Sequence, residues 1–75
     1  MKEQILEILA EINPDIDGAA ERAIIDDKLL DSFDIVTLVG DLNDTFDISI
    51  NVVDLVPDNF NTVDAMVELV RKLSE

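Results

Sequence analysis

The sequence has no cysteine and no histidine, and each absence removes a class of chemistry. Without cysteine there is no disulfide to staple a small fold and no thiolate to act as nucleophile or metal ligand. Without histidine the commonest general base and the commonest neutral metal ligand are both missing. Basic residues are scarce: Lys and Arg total 5 against 18 Asp and Glu, a formal charge of −13. Such a surface repels nucleic acid and anionic lipid, and it steers the chain toward basic patches on partner proteins. No apolar run approaches the ~20 residues of a membrane span. The opening Met1-Lys2-Glu3-Gln4 leads into a helical pattern rather than a signal peptide, so a cytoplasmic protein without membrane insertion is expected. No linker, internal repeat or low-complexity run divides the chain, and 75 residues suffice for a single small domain, 1–75, with a thin core. Its 48% hydrophobic content argues for a folded chain despite the charge.

The apolar residues that are present recur at helical spacing. Ile5, Ile8, Leu9 and Ile12 share one face, which predicts a helix from Lys2 to Ile12 that stops before Pro14. Residues 13–31 read as a long connection, punctuated by Pro14 and Gly18. It carries enough Ile and Leu to pack on the core, with a short helical turn near Ala19 to Ala23. A second helix is predicted from Ser32 to about Phe46, with Asp31 as N-cap and Asp34 in the first turn where the helix dipole favours an acid. Phe46, Ile48, Ile50 and Val52 alternate as a strand would. No other segment alternates to pair with them, so an extended loop that buries Ile48 and Ile50 is expected instead. A short third helix over Val53 to Val56, ended by Pro57, and a last helix capped by Asn61 with Asp64 behind it complete the expectation. The predicted fold class is all-α: a small four-helix bundle, three helices longer and one short, with a long loop between the first two.

The second helix has more apolar residues than a core stripe needs. At ~100° per residue, Ile35, Leu38, Val39, Leu42 and Phe46 cluster on one side. Phe33 points nearly opposite and Val36 lies on the flank, among Thr37, Gly40, Asp41 and Asp44. Phe33 either folds back on the long loop and Leu30, or it belongs to a docking patch in which apolar groups give affinity and carboxylates give orientation.

Two acidic constellations carry no site. Asn13, Asp15, Asp17 and Gly18 imitate the start of a calcium loop, but its twelfth position is Ile24 rather than a bidentate glutamate. Asp26, Asp27, Asp31 and Asp34 lack a basic or nucleophilic complement for acid–base chemistry. No catalytic residue and no metal site is therefore assigned. Ser32 differs, because a hydroxyl at the first helical residue is accessible and faces free backbone N–H groups and the positive end of the dipole. Taken alone, a serine beside an N-cap aspartate is ordinary helix-start chemistry.

The run Leu30-Asp31-Ser32-Phe33, followed by Ile35, Val36, Leu38, Val39, Leu42 and Phe46, resembles the attachment motif of acyl carrier proteins, as does the ending Phe46-Asp47-Ile48-Ser49-Ile50. The resemblance spans essentially the whole chain. It implies the acyl-carrier four-helix fold and 4′-phosphopantetheine attached covalently to Ser32 by a separate phosphopantetheinyl transferase. The arm's thiol would hold a cargo as a thioester. By the same resemblance Asp31 assists recognition, while Phe33, Asp34, Val36, Asp41 and Asp44 form the partner-facing surface. The implied partners are that transferase, an acyl- or aminoacyl-loading ligase or transacylase, and downstream acyl-accepting enzymes, met by a monomer. Phe33 stands where the family has Leu or Met, and Lys28 and Leu29 stand where a glycine is usual. Thr37 and Gly40 replace an acid and a bulky apolar residue common in fatty-acid carriers. The stretch from Ile50 to Phe60, with Asn59-Phe60-Asn61-Thr62, is similar to that of D-alanyl carriers. The expected function is thus a non-enzymatic thioester carrier leaning to the stand-alone aminoacyl type. A fatty-acid or polyketide carrier is the alternative, and an acidic interaction module with unmodified Ser32 is the alternative of another class.

Overall fold

A computed structural model describes residues 1–74; Glu75, the last residue of the expected domain, lies outside the described residues. Four helices form: α1 (Lys2–Ile12), α2 (Ser32–Phe46), α3 (Pro57–Phe60) and α4 (Val63–Ser74), with a 3-10 turn at Val52–Asp54. Among the described residues there is no strand, and no helix is long and apolar enough to cross a membrane. The boundaries of α1 and α2 agree with the sequence expectation. α1 packs on α2 and α4, and α3 packs on α4. Their apolar stripes meet in a core of Ile5, Ile8 and Leu9 from α1, Leu38 and Leu42 from α2, and Val63, Met66, Leu69 and Val70 from α4.

The connection 13–31 is a strap packed on this core. Ile24 and Leu30 are buried, each contributing about 1.5–3 kcal/mol relative to exposure. Gly18 explains how the strap passes so close to the bundle. A Cβ there would lie 2.9 Å from Leu6 Cδ2 and 3.3 Å from both Leu9 Cδ1 and Val63 Cγ2. The turn anticipated near Ala19 to Ala23 comes slightly earlier, where the N–H groups of Ala20 and Glu21 donate to the Asp17 carbonyl. Asn13 serves this strap. Its Oδ1 accepts from the Asp15 N–H and its Nδ2 donates to the Leu29 carbonyl.

Three details of the C-terminal half correct the sequence expectation. The short helix does not run over Val53 to Val56 and end at Pro57; it begins at Pro57, where a fixed φ and a missing N–H suit the first helical position. The preceding 3-10 turn closes because the Asp54 carboxylate accepts from the Asn51 N–H at 3.2 Å. Asn61 does not cap α4. Thr62 does, its Oγ1 accepting from the Ala65 N–H at 2.9 Å. Asn61 instead clamps the strap: its Oδ1 accepts from the N–H groups of Ile25 and Asp26, its Nδ2 donates to Asp26 Oδ2, and its carbonyl accepts from the Ile24 N–H. The segment after α2 is extended as expected, with Ile48 buried and Ile50 half-buried. The Asn43 side chain pins it by accepting from the Ile50 N–H at 3.0 Å.

Candidate functional site

Each predicted site residue lies on α2 or at its cap. Asp31 is extended and its Oδ1 accepts from the Asp34 N–H at 2.8 Å, while Asp34 Oδ2 accepts from the Asp31 N–H at 3.5 Å. This reciprocal pair fixes the direction in which the chain enters α2. Ser32, the first helical residue, sits between the two carboxylates and is exposed. Asp34 takes its N–H to the cap and Ile35 donates to the Asp31 carbonyl. The Ser32 and Phe33 N–H groups lie in the turn that has no intrahelical acceptor to offer them.

Phe33 is 80% exposed and Val36 is 71% exposed. Phe33 therefore does not fold back on Leu30, which is itself buried in the core. Phe33, Thr37, Gly40 and Asp44 follow one another at helical spacing on a single stripe. Thr37 Oγ1 donates to the Phe33 carbonyl at 3.1 Å, which keeps that hydroxyl turned onto the helix. Asp44 is exposed and Asp41 half-buried, so the lower part of α2 presents acids beside the apolar upper turn. The side chains of Ile35 and Val39, read as core stripe, are only half-buried.

Two features near this site escaped the sequence reading. Ile35 forms one wall of an apolar cleft of about 130 Å³, completed by Ile25, Leu55, Val56, Pro57 and Phe60. Its lining comes from three separate segments, so no local pattern announces it. The second is the exposure of Val52 and Val53, at 83% and 82%. Val52 continues an alternating run whose earlier members turn inward, and only the cap formed by Asp54 on Asn51 shows that the run is broken there.

Lys28 and Leu29 are the two positions where the resemblance implies a glycine. Lys28 has φ 57°, in the left-handed region that favours glycine. The turn thus holds a lysine in a conformation that favours glycine.

The family model described as a phosphopantetheine attachment site matches residues 3–70. D-alanyl carrier proteins from two strains of Lactobacillus delbrueckii subsp. bulgaricus are each 32% identical over 76 residues, covering 100% of this chain and 95% of theirs. The chain belongs to the phosphopantetheine-binding carrier proteins. It is a carrier and not an enzyme, and its cofactor is covalently attached 4′-phosphopantetheine. The start of α2 fits such a group: an exposed hydroxyl, open N–H groups and the positive end of a 15-residue helix suit a phosphodiester. Membership also implies a transferase and acyl-handling enzymes as partners.

Proposed function

We propose that Ser32 carries the phosphopantetheine arm and that the chain is a stand-alone, monomeric, cytoplasmic carrier of the aminoacyl type. The exposed position of Ser32 between the locked carboxylates of Asp31 and Asp34 is the observation that supports the attachment site. When bound, the group supplies a thiol that holds cargo as a thioester, which a chain without cysteine cannot do itself. The residues of the chain have three tasks. Ser32 supplies the hydroxyl oxygen for the phosphodiester. Asp31 and Asp34, through their reciprocal bonds to each other's backbone N–H, fix the backbone that carries Ser32 and present negative charge to a basic partner. Phe33 and Val36 offer the apolar contact, with Asp41 and Asp44 orienting the approach.

The aminoacyl reading is supported by full-length similarity to proteins described as D-alanyl carriers. It is tested by loading the modified protein with a D-alanine-activating ligase, ATP and D-alanine. A mass gain of one alanyl group on the arm is expected, with none from malonyl coenzyme A and its transacylase. The reverse pattern would overturn the reading. A fatty-acid or polyketide role is the second reading, and the apolar cleft beside Ile35 favours it. Its volume of about 130 Å³ compares with the ~150 Å³ cavity that admits benzene in an engineered protein.

A further inference from the structure

The six residues that line the cleft beside α2 belong to two bodies. Five of them, Ile25, Leu55, Val56, Pro57 and Phe60, sit in one hydrogen-bonded shell. Within it the Val56 N–H donates to the Asp54 carbonyl, the Asn59 N–H to the Val56 carbonyl and the Asn61 N–H to the Pro57 carbonyl. Asn59 Nδ2 ties the 3-10 turn to α3 by donating to the Asp54 carbonyl at 2.8 Å. Asn61 joins the strap to the same shell, its Oδ1 accepting from the Ile25 N–H at 2.9 Å and the Asp26 N–H at 3.0 Å. The sixth residue, Ile35, stands on α2, which packs chiefly on α1, while α3 packs on α4. Among the described residues no hydrogen bond joins α2 to residues 24–29 or 51–61.

Room in such a cleft grows only if a wall moves. Ile25 is the wall whose backbone is tied down by a side chain 36 residues away. Its neighbour Ile24 is held independently, by burial and by the Asn61 carbonyl, and so forms a pivot for Ile25 once the Asn61 side chain lets go. With the clamp closed the cleft has about 130 Å³, against the ~150 Å³ cavity that admits a six-carbon ring. Ser32 precedes Ile35 by three residues, about 4.5 Å of helix rise, and the two share a face of α2. One wall of the cleft thus stands within a helical turn of the attachment point.

An aminoacyl cargo keeps its ammonium in water and gains little from apolar walls. An acyl chain gains with every carbon it buries. A limit on length therefore acts on acyl cargo alone. We propose that Asn61 is a specificity-determining residue: by pinning the Ile25 wall it limits the apolar cargo this carrier shelters to about six carbons, so that the rest of a longer chain stays in water. This rests on the reading that Ser32 carries the arm.

The test attaches acyl-phosphopantetheine arms from acetyl, butyryl, hexanoyl, octanoyl and decanoyl coenzyme A with a broad-specificity phosphopantetheinyl transferase. Every protein carries Gly40→Ala to offset lost stability, the reference protein included. In the reference protein the melting temperature should rise by roughly 5 °C for each two carbons up to hexanoyl and then level. The methyl signals of Ile25 and Ile35 should move over the same range, which places the chain in the cleft. Asn61→Ala frees the Ile25 N–H, and its melting temperature should start lower and go on rising to decanoyl. Asn61→Asp keeps an acceptor for that N–H and should level at hexanoyl again. Thr62→Ala also lowers stability but leaves the clamp in place, so it too should level at hexanoyl. A reference protein that gains through decanoyl, or shows no dependence on chain length, would overturn the proposal. So would a rise without movement of the methyl signals, or an Asn61→Ala variant that levels at hexanoyl. Failure of any arm to attach would strike the Ser32 reading and this proposal with it.

Discussion

Replacing Asn61 by Ala tests how the strap is held against the bundle. Asn61 Oδ1 accepts two backbone N–H groups, from Ile25 at 2.9 Å and Asp26 at 3.0 Å, and its Nδ2 donates to Asp26 Oδ2 at 3.1 Å. The bond from Asp26 is exposed, and its N–H turns to water at a cost of about 0.5 kcal/mol. Ile25 is half-buried, and leaving its N–H without an acceptor costs about 1–3 kcal/mol. The Asn61 carbonyl keeps its bond from the Ile24 N–H in the variant. The net loss is about 2 kcal/mol, which for a chain of this size lowers the melting temperature by roughly 8–16 °C. Urea unfolding should show a lower midpoint at constant slope, and the amides of Ile25 and Asp26 should exchange faster. Asn61→Asp keeps an acceptor but sets a carboxylate against that of Asp26, so it should fall between Ala and wild type. Thr62→Ala, which removes the cap of α4, should cost about 1 kcal/mol and leave those amides unaffected. An Asn61→Ala variant that loses less than about 0.5 kcal/mol would refute the clamp.

Three other substitutions follow from the same structure. Gly40→Ala meets nothing within 4 Å on an exposed face of α2, and should stabilise the fold by about 1 kcal/mol in urea titration. Lys28→Gly relieves a left-handed backbone at φ 57°, and should stabilise by about 1 kcal/mol by the same assay; a loss would mean the lysine side chain contributes more than its strain. Phe33→Ala removes a side chain that is 80% exposed, so its melting temperature should hold while modification and loading slow; a large loss of stability with full activity would place Phe33 in the core instead.

The long helices were legible because their apolar residues repeat at the helical period and their ends carry strong signals. Pro14 stops α1, and Asp31 starts α2 with Asp34 closing the capping box. The surplus of Phe33 and Val36 over the core stripe was readable for the same reason. What failed was local choice among near-equivalent signals. Asn61 and Thr62 are both good caps, and the long-range bonds from Asn61 to residues 35 and 36 positions away decide between them. Pro57 both stops and starts helices, and the turn closed by Asp54 determines which role it takes. The cleft was invisible because its lining unites the strap, α2 and the segment around α3. Lys28 shows the converse. The sequence departs from the usual glycine, yet the backbone keeps the conformation glycine favours.

The central claim is that Ser32, exposed at the capped start of α2, carries the arm. Intact mass after co-expression with a broad-specificity phosphopantetheinyl transferase tests it most directly. Wild type should gain the mass of one phosphopantetheinyl group, and Ser32→Ala, in which Asp31 can still cap the helix, should gain none. A wild type of unchanged mass, or a gain that survives in Ser32→Ala, would contradict the account.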